Sequence, residues 1–373
     1  MRSREALRFM GLLLLLLSIV GCMHSESGET GQGIGDRGIV FETVATLGEE
    51  GLQPGELVFG KISDLEVDAE NRILIADSEM QSLRRLTIEG ETLWSLATQG
   101  QGPGEVHIPW LVTVLDDQVF LFDIGKHRVM VAGLEDAEPR HEIIVPYFLH
   151  GMTVDHEGGV FAAGVLDGDL SVVEQHVIHR FDREGNVLAS YPVERPFHTE
   201  RGPSFVAKQI IHQYYAGRVA VESNGEHLLI SPVFDRSSYR ISRDGETLVR
   251  FENTYFDTPL LNYEASESGV TFKNAESQSG PALSMPDGRI LKGYQVARDG
   301  TLQYTVDLFA ADGVLLASQI SVPGMPLAIG GDDRVYAVSN LPYPQIFVLE
   351  MTEPQDHVLV DTATESGEGD EHS

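Results

Sequence analysis

The 373-residue sequence contains one cysteine, five lysines and no stretch in which basic residues cluster. A single cysteine excludes an intrachain disulfide. Neutralising a phosphate backbone requires clustered Lys and Arg. The chain instead carries 57 acidic against 26 basic residues and a formal net charge of −31. The composition therefore argues against a nucleic-acid partner.

Glycine and proline are frequent, at 38 and 17 residues, and hydrophobic residues make up 42% of the chain. Gly and Pro mark turns, while this apolar fraction is sufficient for a large core. The composition favours a fold with many short turns and makes long helices unexpected.

The N-terminal residues 1–21 are typical of an export signal. Three arginines are followed by an apolar run from Phe9 to Val20, and about a dozen apolar residues are too few to span a bilayer. The stretch Ile19-Val20-Gly21-Cys22 resembles the bacterial lipobox, which implies acylation of the Cys22 thiol; the alternative is an ordinary signal peptide with an incidental cysteine. We therefore predict lipidation at Cys22 and a membrane-anchored lipoprotein of the bacterial cell envelope, either facing the periplasm or at the cell surface.

Both ends of the remaining chain have low-complexity composition. Residues 22–38 are polar and Gly-rich, which predicts a flexible tether. Residues 352–373 contain seven acids and no Lys or Arg, which predicts a disordered acidic tail. The folded body is expected over residues 39–351.

An internal repeat runs through this body. Residues 51–68 align without gaps onto residues 100–117 at an offset of 49, and a weaker form of the same cycle continues along the chain. Each cycle contains an apolar strand, a tight turn rich in Asp, Asn or Gly, and a second strand. The six second strands start at Arg72, Gln118, Gly159, His227, Arg289 and Arg334.

Four-stranded antiparallel units recurring at this spacing predict an all-β fold, a six-bladed β-propeller. The sixth cycle lacks a fourth strand, whereas residues 39–47 form a strand pattern before the first cycle begins. We therefore predict that the N-terminal strand completes the last blade, which would leave the ring without a free edge.

Two segments carry a family resemblance. The sequences DSEMQSLRRL from Asp77 and DIGKHRVMVA from Asp123 resemble NHL-type repeats, in which an Asp and a short loop precede Arg-Val and a strand. With the Gly-x-Gly-Pro-Gly-Glu segment at Gly100, the chain resembles bacterial six-bladed propeller lipoproteins with NHL-type repeats. The resemblance is sequence-specific in the first two cycles and architectural in the others, and the third to fifth cycles lack the Arg-Val loop.

The strand order predicts which face of the ring carries the candidate site. Links between blades and loops between second and third strands leave from one face, here called the top face; the opposite face is the bottom face. Insertions at residues 194–218 and 252–282 also fall on the top face, the first as an aromatic lid or rim, or as packing against a blade edge. The candidate ligand-binding residues are Asp77, Asp123, His127, Arg128, Arg236, Tyr239, Tyr294 and Tyr343.

Motifs for catalysis and metal binding are absent from the sequence. The segment from Gly100 to Glu105 lacks the following Lys-Ser or Lys-Thr of a phosphate loop, and we expect Glu105 to accept local backbone donors instead. No HExxH, His-x-x-x-His or Gly-x-Ser-x-Gly pattern occurs, so no His-based metal site is predicted. A central Ca²⁺ would require carboxylates such as Asp77 and Asp123, for which we favour loop capping.

These observations favour a lipid-anchored binding or scaffold module that holds a peptide, glycan or protein partner through its top face, without a cofactor. One alternative is a Ca²⁺-dependent propeller hydrolase, lactonase or lyase, which requires at least three carboxylate or amide oxygens converging near the axis. Another is a structural component of an envelope complex, in which one exposed apolar patch should dominate.

Overall fold

The computed structural model describes residues 38–48, 57–97, 99–100, 102, 104–145, 149–164, 176–192, 217–222, 225–233, 236–253, 262–266, 269–273, 278–298 and 301–353. The predictions for the signal segment, for lipidation at Cys22 and for nearly all of the tether lie outside these residues. So do most of the first insertion and residues 354–373 of the tail.

The first three blades are four-stranded antiparallel sheets in sequence order. Blade 1 contains β2 (Ile62–Val67), β3 (Ile73–Asp77), β4 (Ser82–Leu86) and β5 (Thr92–Leu96). Blade 2 contains β6 (Pro109–Leu115), β7 (Gln118–Asp123), β8 (Arg128–Gly133) and β9 (Pro139–Ile144). Blade 3 contains β10 (Leu149–Val154), β11 (Val160–Gly164), β12 (His176–Phe181) and β13 (Val187–Pro192).

The other three blades repeat this arrangement with longer connections. Blade 4 contains β14 (Arg218–Val221), β15 (His227–Ser231), β16 (Ser237–Ser242) and β17 (Thr247–Glu252), and a hairpin of β18 (Asn262–Ser266) and β19 (Gly269–Lys273) follows it. Blade 5 contains β20 (Gln278–Ser284), β21 (Ile290–Arg298), β22 (Thr301–Phe309) and β23 (Leu315–Val322). Blade 6 contains β24 (Met325–Ile329), β25 (Val335–Ser339), β26 (Gln345–Thr352) and β1 (Val40–Leu47).

The first strands of the six blades surround a central channel. Each contacts the first strand of the next blade, and β24 of blade 6 returns to β2 of blade 1, so the ring is closed. All regular structure within the described residues is β-strand, and these residues include no helix long and apolar enough to cross a membrane. The all-β, six-bladed propeller predicted from the repeat is confirmed.

The N-terminal strand closes the ring as predicted. β1 pairs antiparallel with β26 along the outer edge of blade 6, with Val40 opposite Thr352 and Leu47 opposite Ile346. Leu47 and Ile346 are both buried, so this pairing adds apolar packing to its hydrogen bonds. β26 extends to Thr352, one residue beyond the expected end of the folded body.

Turn residues in left-handed backbone conformations define the hairpins. The turn before every second strand contains one such residue: Asn71, Asp116, Gly158, Gly225, Gly288 and Asp333. Between third and fourth strands this position is taken by Gly in four cycles and by Ala137 in blade 2. The prediction that Asp, Asn and Gly at the turns before the second strands supply left-handed backbone is confirmed.

Gly185, in the turn between β12 and β13, also sets how closely blades 2 and 3 approach. Its φ is 85°, and a Cβ there would lie 2.7 Å from the carbonyl oxygen of Ile144 in blade 2. Gly288 has the same φ, but a Cβ there would meet nothing within 4 Å.

We expect Gly185→Ala to lower the free energy of unfolding by about 1 kcal/mol more than Gly288→Ala. Both substitutions carry the left-handed backbone cost of about 1–2 kcal/mol, whereas only Gly185→Ala adds a clash with backbone. Denaturant unfolding of the two variants measures the difference, and equal losses would show that blade 3 moves away without cost.

Buried ion pairs repeat on the bottom side of three blades. A third-strand Arg pairs with the acid that precedes the second strand of its own blade: Arg85 with Asp68 at 2.7 Å, Arg180 with Asp155 at 2.8 Å, and Arg240 with Glu222 at 2.6 Å. Arg85 and Arg240 also donate to backbone carbonyls of the following blade. The donated hydrogen bonds of Arg85 and Arg240 therefore link neighbouring blades on the bottom face.

Candidate functional site

Asp77 caps the loop at the top of blade 1. Its buried carboxylate accepts hydrogen bonds from the backbone N–H groups of Gly60, Lys61 and Met80, each at 2.9 Å. The Arg84 guanidinium donates to the same carboxylate at 3.0 Å. Both oxygens are therefore occupied by the protein's own donors, and we do not place Asp77 in the candidate site.

Asp123 occupies the equivalent place in blade 2 and has the same role. Its carboxylate accepts from the backbone N–H groups of His107 at 2.7 Å, Ile108 at 3.0 Å and Gly125 at 3.0 Å. The capping role favoured from the sequence is confirmed for both acids. With its oxygens engaged in this way, Asp123 does not fit a calcium ligand, and neither does Asp77.

The loop after β7 places two other predicted residues on the top face. His127 is exposed, whereas Arg128 is half-buried because it pairs with Glu142 and donates to the carbonyl of Gly102 at 2.9 Å. The carboxylate of Glu105 accepts the backbone N–H of Gly102, as expected for a structural turn. Of these residues, His127 is the one open to a ligand.

The remaining candidates divide between the surface and the core. Arg236 is exposed and donates to Glu252 at 3.0 Å. Tyr343 lies in the loop that connects β25 to β26 and is half-buried. Tyr239 is buried in the apolar cluster between blades 3 and 4. The fully buried Tyr294 donates its hydroxyl to the backbone carbonyl of Arg236. The expectation that Tyr239 and Tyr294 face the top opening is corrected here, because both rings pack between blades.

The first strands of blades 1 to 4, which surround the central channel, carry several polar residues. Among them are Asp64 and Glu66 on β2, Thr113 on β6, His150 on β10 and Arg218 on β14. Sequence reasoning placed Arg218 inside the first insertion, whereas it begins the first strand of blade 4.

An ion pair crosses the channel between opposite blades. Arg218 of blade 4 donates from Nη1 to Asp64 Oδ1 of blade 1 at 2.8 Å, and the backbone N–H of Val112 donates to the other carboxylate oxygen at 3.0 Å. Gly151 allows β14 to approach, because a Cβ there would lie 2.8 Å from the Arg218 Cα. The pair is partly open to solvent, with 28% of the Arg218 side chain exposed.

The pKa values of Glu66 and His150 are both shifted in the direction that favours the neutral side chain. Burial raises the pKa of Glu66 to about 7, and the negative charge of Asp64 adds to this, against opposing hydrogen bonds from the Val67 backbone and the Thr113 hydroxyl. Burial, with a smaller effect from Arg218, lowers the pKa of His150 to about 3. At neutral pH these described residues therefore present the Arg218–Asp64 ion pair, the neutral His150 imidazole and the Thr113 hydroxyl. The Glu66 carboxyl is close to its pKa and is partly protonated.

Comparison with solved structures finds the same fold at low sequence identity. A member of the DUF4221 family from Bacteroides vulgatus has a TM-score of 0.57 at 10% identity, covering 85% of this chain and 99% of that one. A putative exported protein from Bacteroides fragilis has a TM-score of 0.53 at 11% identity, covering 86% and 97%. These similarities show the propeller fold alone. No protein-family model and no curated protein matches the sequence.

The channel residues had a sequence signal that motif searches do not detect. Asp64 and Glu66 place two charges in a six-residue first strand at positions i and i+2, which lie on one face of a strand. Charged residues on an inner strand are unusual unless they are paired or functional. Within the described residues, no group of three His, Cys, Asp or Glu side chains could hold a metal ion.

A second polar cluster lies between blades 4 and 5. Lys292 Nζ donates to Ser238 Oγ at 2.6 Å, and the hydroxyls of Ser238 and Ser231 are 2.8 Å apart. Asn253 donates to Asp307 at 2.8 Å, and Asp307 lies directly across from Lys292 on the neighbouring strand. All five side chains are almost completely buried. Because a substrate cannot reach these serines and Asp307 supplies a counter-charge to Lys292, we interpret this cluster as structural.

Proposed function

We propose that the protein is a lipid-anchored β-propeller of the bacterial cell envelope that binds a peptide, glycan or protein partner through its top face. The observation that carries the proposal is the Arg218–Asp64 ion pair. It joins two opposite blades across the channel, and its side chains are partly exposed to solvent. Beside it, His150 is neutral and half-buried. Together they offer donors and acceptors to a polar ligand.

The direction of β1 supports an orientation for the anchored protein. β1 begins at Val40, opposite the end of β26 at Thr352, which is on the bottom face. A lipid on Cys22 would therefore be tethered to the bottom face and leave the top face pointing away from the membrane. The similar Bacteroides fragilis protein is described as a putative exported protein, which agrees with an envelope location. The proposal also includes the assignment of the first two cycles as NHL-type repeats.

The two alternatives gain no support from particular residues. For a Ca²⁺-dependent hydrolase, lactonase or lyase, the carboxylates of Asp64, Asp77 and Asp123 are already engaged by protein donors. For a structural component of an envelope complex, large exposed apolar side chains should form one patch. In the described part of the chain they are spread over the six blades, for example Leu93, Ile144, Leu188, Leu248, Val314 and Val44.

Replacement of Arg218 tests the proposed function. We expect the full-length protein in mild detergent to bind members of a peptide library or a glycan array, and Arg218→Ala to weaken that binding at least tenfold. Arg140→Ala is the matched control, because Arg140 is an ion-paired arginine on the bottom face, paired with Asp117. Circular dichroism of both variants confirms folding. If Arg140→Ala weakens binding as much as Arg218→Ala does, the ligand site lies elsewhere.

A further inference from the structure

Glu66 lies deeper in the channel than the Arg218–Asp64 pair. It is the next-to-last residue of β2, on the same face as Asp64 and two residues closer to the bottom face. A strand rises about 3.3 Å per residue, so the Glu66 backbone lies about 7 Å below that of Asp64. The ion pair stands between Glu66 and the top opening, whereas β2 ends at Val67, one residue after Glu66, at the bottom.

In the described part of the chain, no cationic side chain serves as a counter-ion to the carboxyl group of Glu66. Its hydrogen bonds are with the backbone N–H of Val67 at 3.1 Å and with the Thr113 hydroxyl. Within the described residues, no Lys, Arg or His nitrogen is paired with it, whereas Asp64 on the same face has Arg218. Glu66 is also half-buried rather than fully enclosed, so a small group can approach it.

We propose that the bottom half of the channel binds a primary ammonium group, as carried by a lysine side chain or an amino sugar, at the Glu66 carboxylate, which the Thr113 hydroxyl orients through its own hydrogen bond. An ammonium group has three donors, and the carboxylate oxygens of Glu66 accept from it. The net charge of −31 also favours the approach of cations. This site is separate from the top-face surface and does not depend on the function proposed for it.

A monovalent ammonium group fits these residues better than Ca²⁺ does. Calcium takes six to eight oxygen ligands, but Glu66 is the one channel carboxylate among the described residues whose charge is not already matched. Asp64 is engaged at both oxygens by Arg218 and Val112. One unmatched carboxylate balances one positive charge, so the chemistry selects a singly charged ligand.

Binding at Glu66 must depend on pH in a definite direction. An ammonium group pairs with the ionised carboxylate, and burial raises the pKa of Glu66 to about 7. Acidification therefore forces the ligand to displace a proton. The affinity should fall about tenfold between pH 8 and pH 6 for a group that titrates near 7. An anionic ligand would show the opposite trend.

The test is isothermal titration of the full-length protein in mild detergent with four probes at pH 8 and pH 6. The probes are Nα-acetyl-lysine amide, glucosamine, acetate and CaCl₂. We expect one or both amines to bind at pH 8, the lysine amide about tenfold more weakly at pH 6 because its ammonium stays protonated over this range, and Glu66→Gln to abolish this binding. Glu89→Gln, at an exposed acid in a turn of the same blade, should bind as the wild type does. The two amines distinguish a peptide source from a sugar source.

Three results would overturn the proposal: no heat with either amine, amine binding that Glu66→Gln leaves unchanged, or tighter binding of acetate or CaCl₂ than of the amines. Thermal unfolding of Glu66→Gln shows whether the variant is folded at the assay temperature. If the ammonium proposal fails but Arg218→Ala still weakens binding to the peptide library or glycan array, the top-face function stands. The two experiments therefore test the two proposals independently.

Discussion

Lys292→Ala is expected to lower the free energy of unfolding by about 2–5 kcal/mol, because it leaves a cavity at a fully buried position and removes a positive charge that lies across from the buried Asp307. Both side chains are fully buried and face each other across β21 and β22. Burial raises the pKa of Asp307, with Lys292 among the opposing influences. The substitution also removes the donor to Ser238 at the boundary of blades 4 and 5. Denaturant unfolding followed by circular dichroism measures the loss.

Arg334→Ala is the control for this prediction. Arg334 pairs with Asp332 and Glu350 on the bottom side of blade 6, where the Arg334 side chain is 33% exposed. Exposed ion pairs contribute about 0–1 kcal/mol, so this variant should unfold nearly as the wild type does. If Lys292→Ala costs no more than Arg334→Ala, the cluster between blades 4 and 5 does not hold the ring together.

The second large effect concerns how stability changes with pH. The pKa of Glu66 is about 7 in the folded protein against an ordinary value of 4.5, so folding favours the protonated carboxyl. Its stabilising contribution is complete below about pH 4.5 and is lost as the pH rises through 7. Glu66→Gln, which resembles the protonated acid, should therefore be more stable than the wild type by about 3 kcal/mol at pH 8 and by about 1 kcal/mol or less at pH 5.

Chemical unfolding of both proteins at pH 5, 6, 7 and 8 tests this expectation. The other titratable groups contribute to both curves, so the difference between the curves isolates Glu66. We expect that difference to grow between pH 5 and pH 7 and then to level off. Parallel curves over the whole range would show that the Glu66 carboxyl is as well solvated in the folded protein as in the unfolded chain.

The fold could be predicted from the sequence because its determinants are local. Each second strand follows a turn whose conformation depends on one Asn, Asp or Gly, such as Asn71 or Gly158. The repeat of this signal counts the blades. The role of β1 followed from the same count, since the sixth cycle was one strand short.

The channel could not be predicted in the same way, because its contacts join distant parts of the chain. Arg218 and Asp64 are 154 positions apart, and they meet because the ring places blades 1 and 4 opposite each other. The prediction that Tyr239 and Tyr294 face the top opening was wrong for a different reason. Both lie on strands beside a top-face loop, but the sequence near a strand end does not show whether a ring turns outward or packs against the next blade.

The closing strand also has a consequence for the time at which the protein can fold. Among the described strands, β1 is synthesised first and its partner β26 last, so blade 6 cannot assemble until β26 has emerged. Contacts between such distant segments form slowly because closing the long intervening loop costs entropy. Blades 1 to 5 are built from consecutive strands, so we expect blade 6 to be the last blade to form.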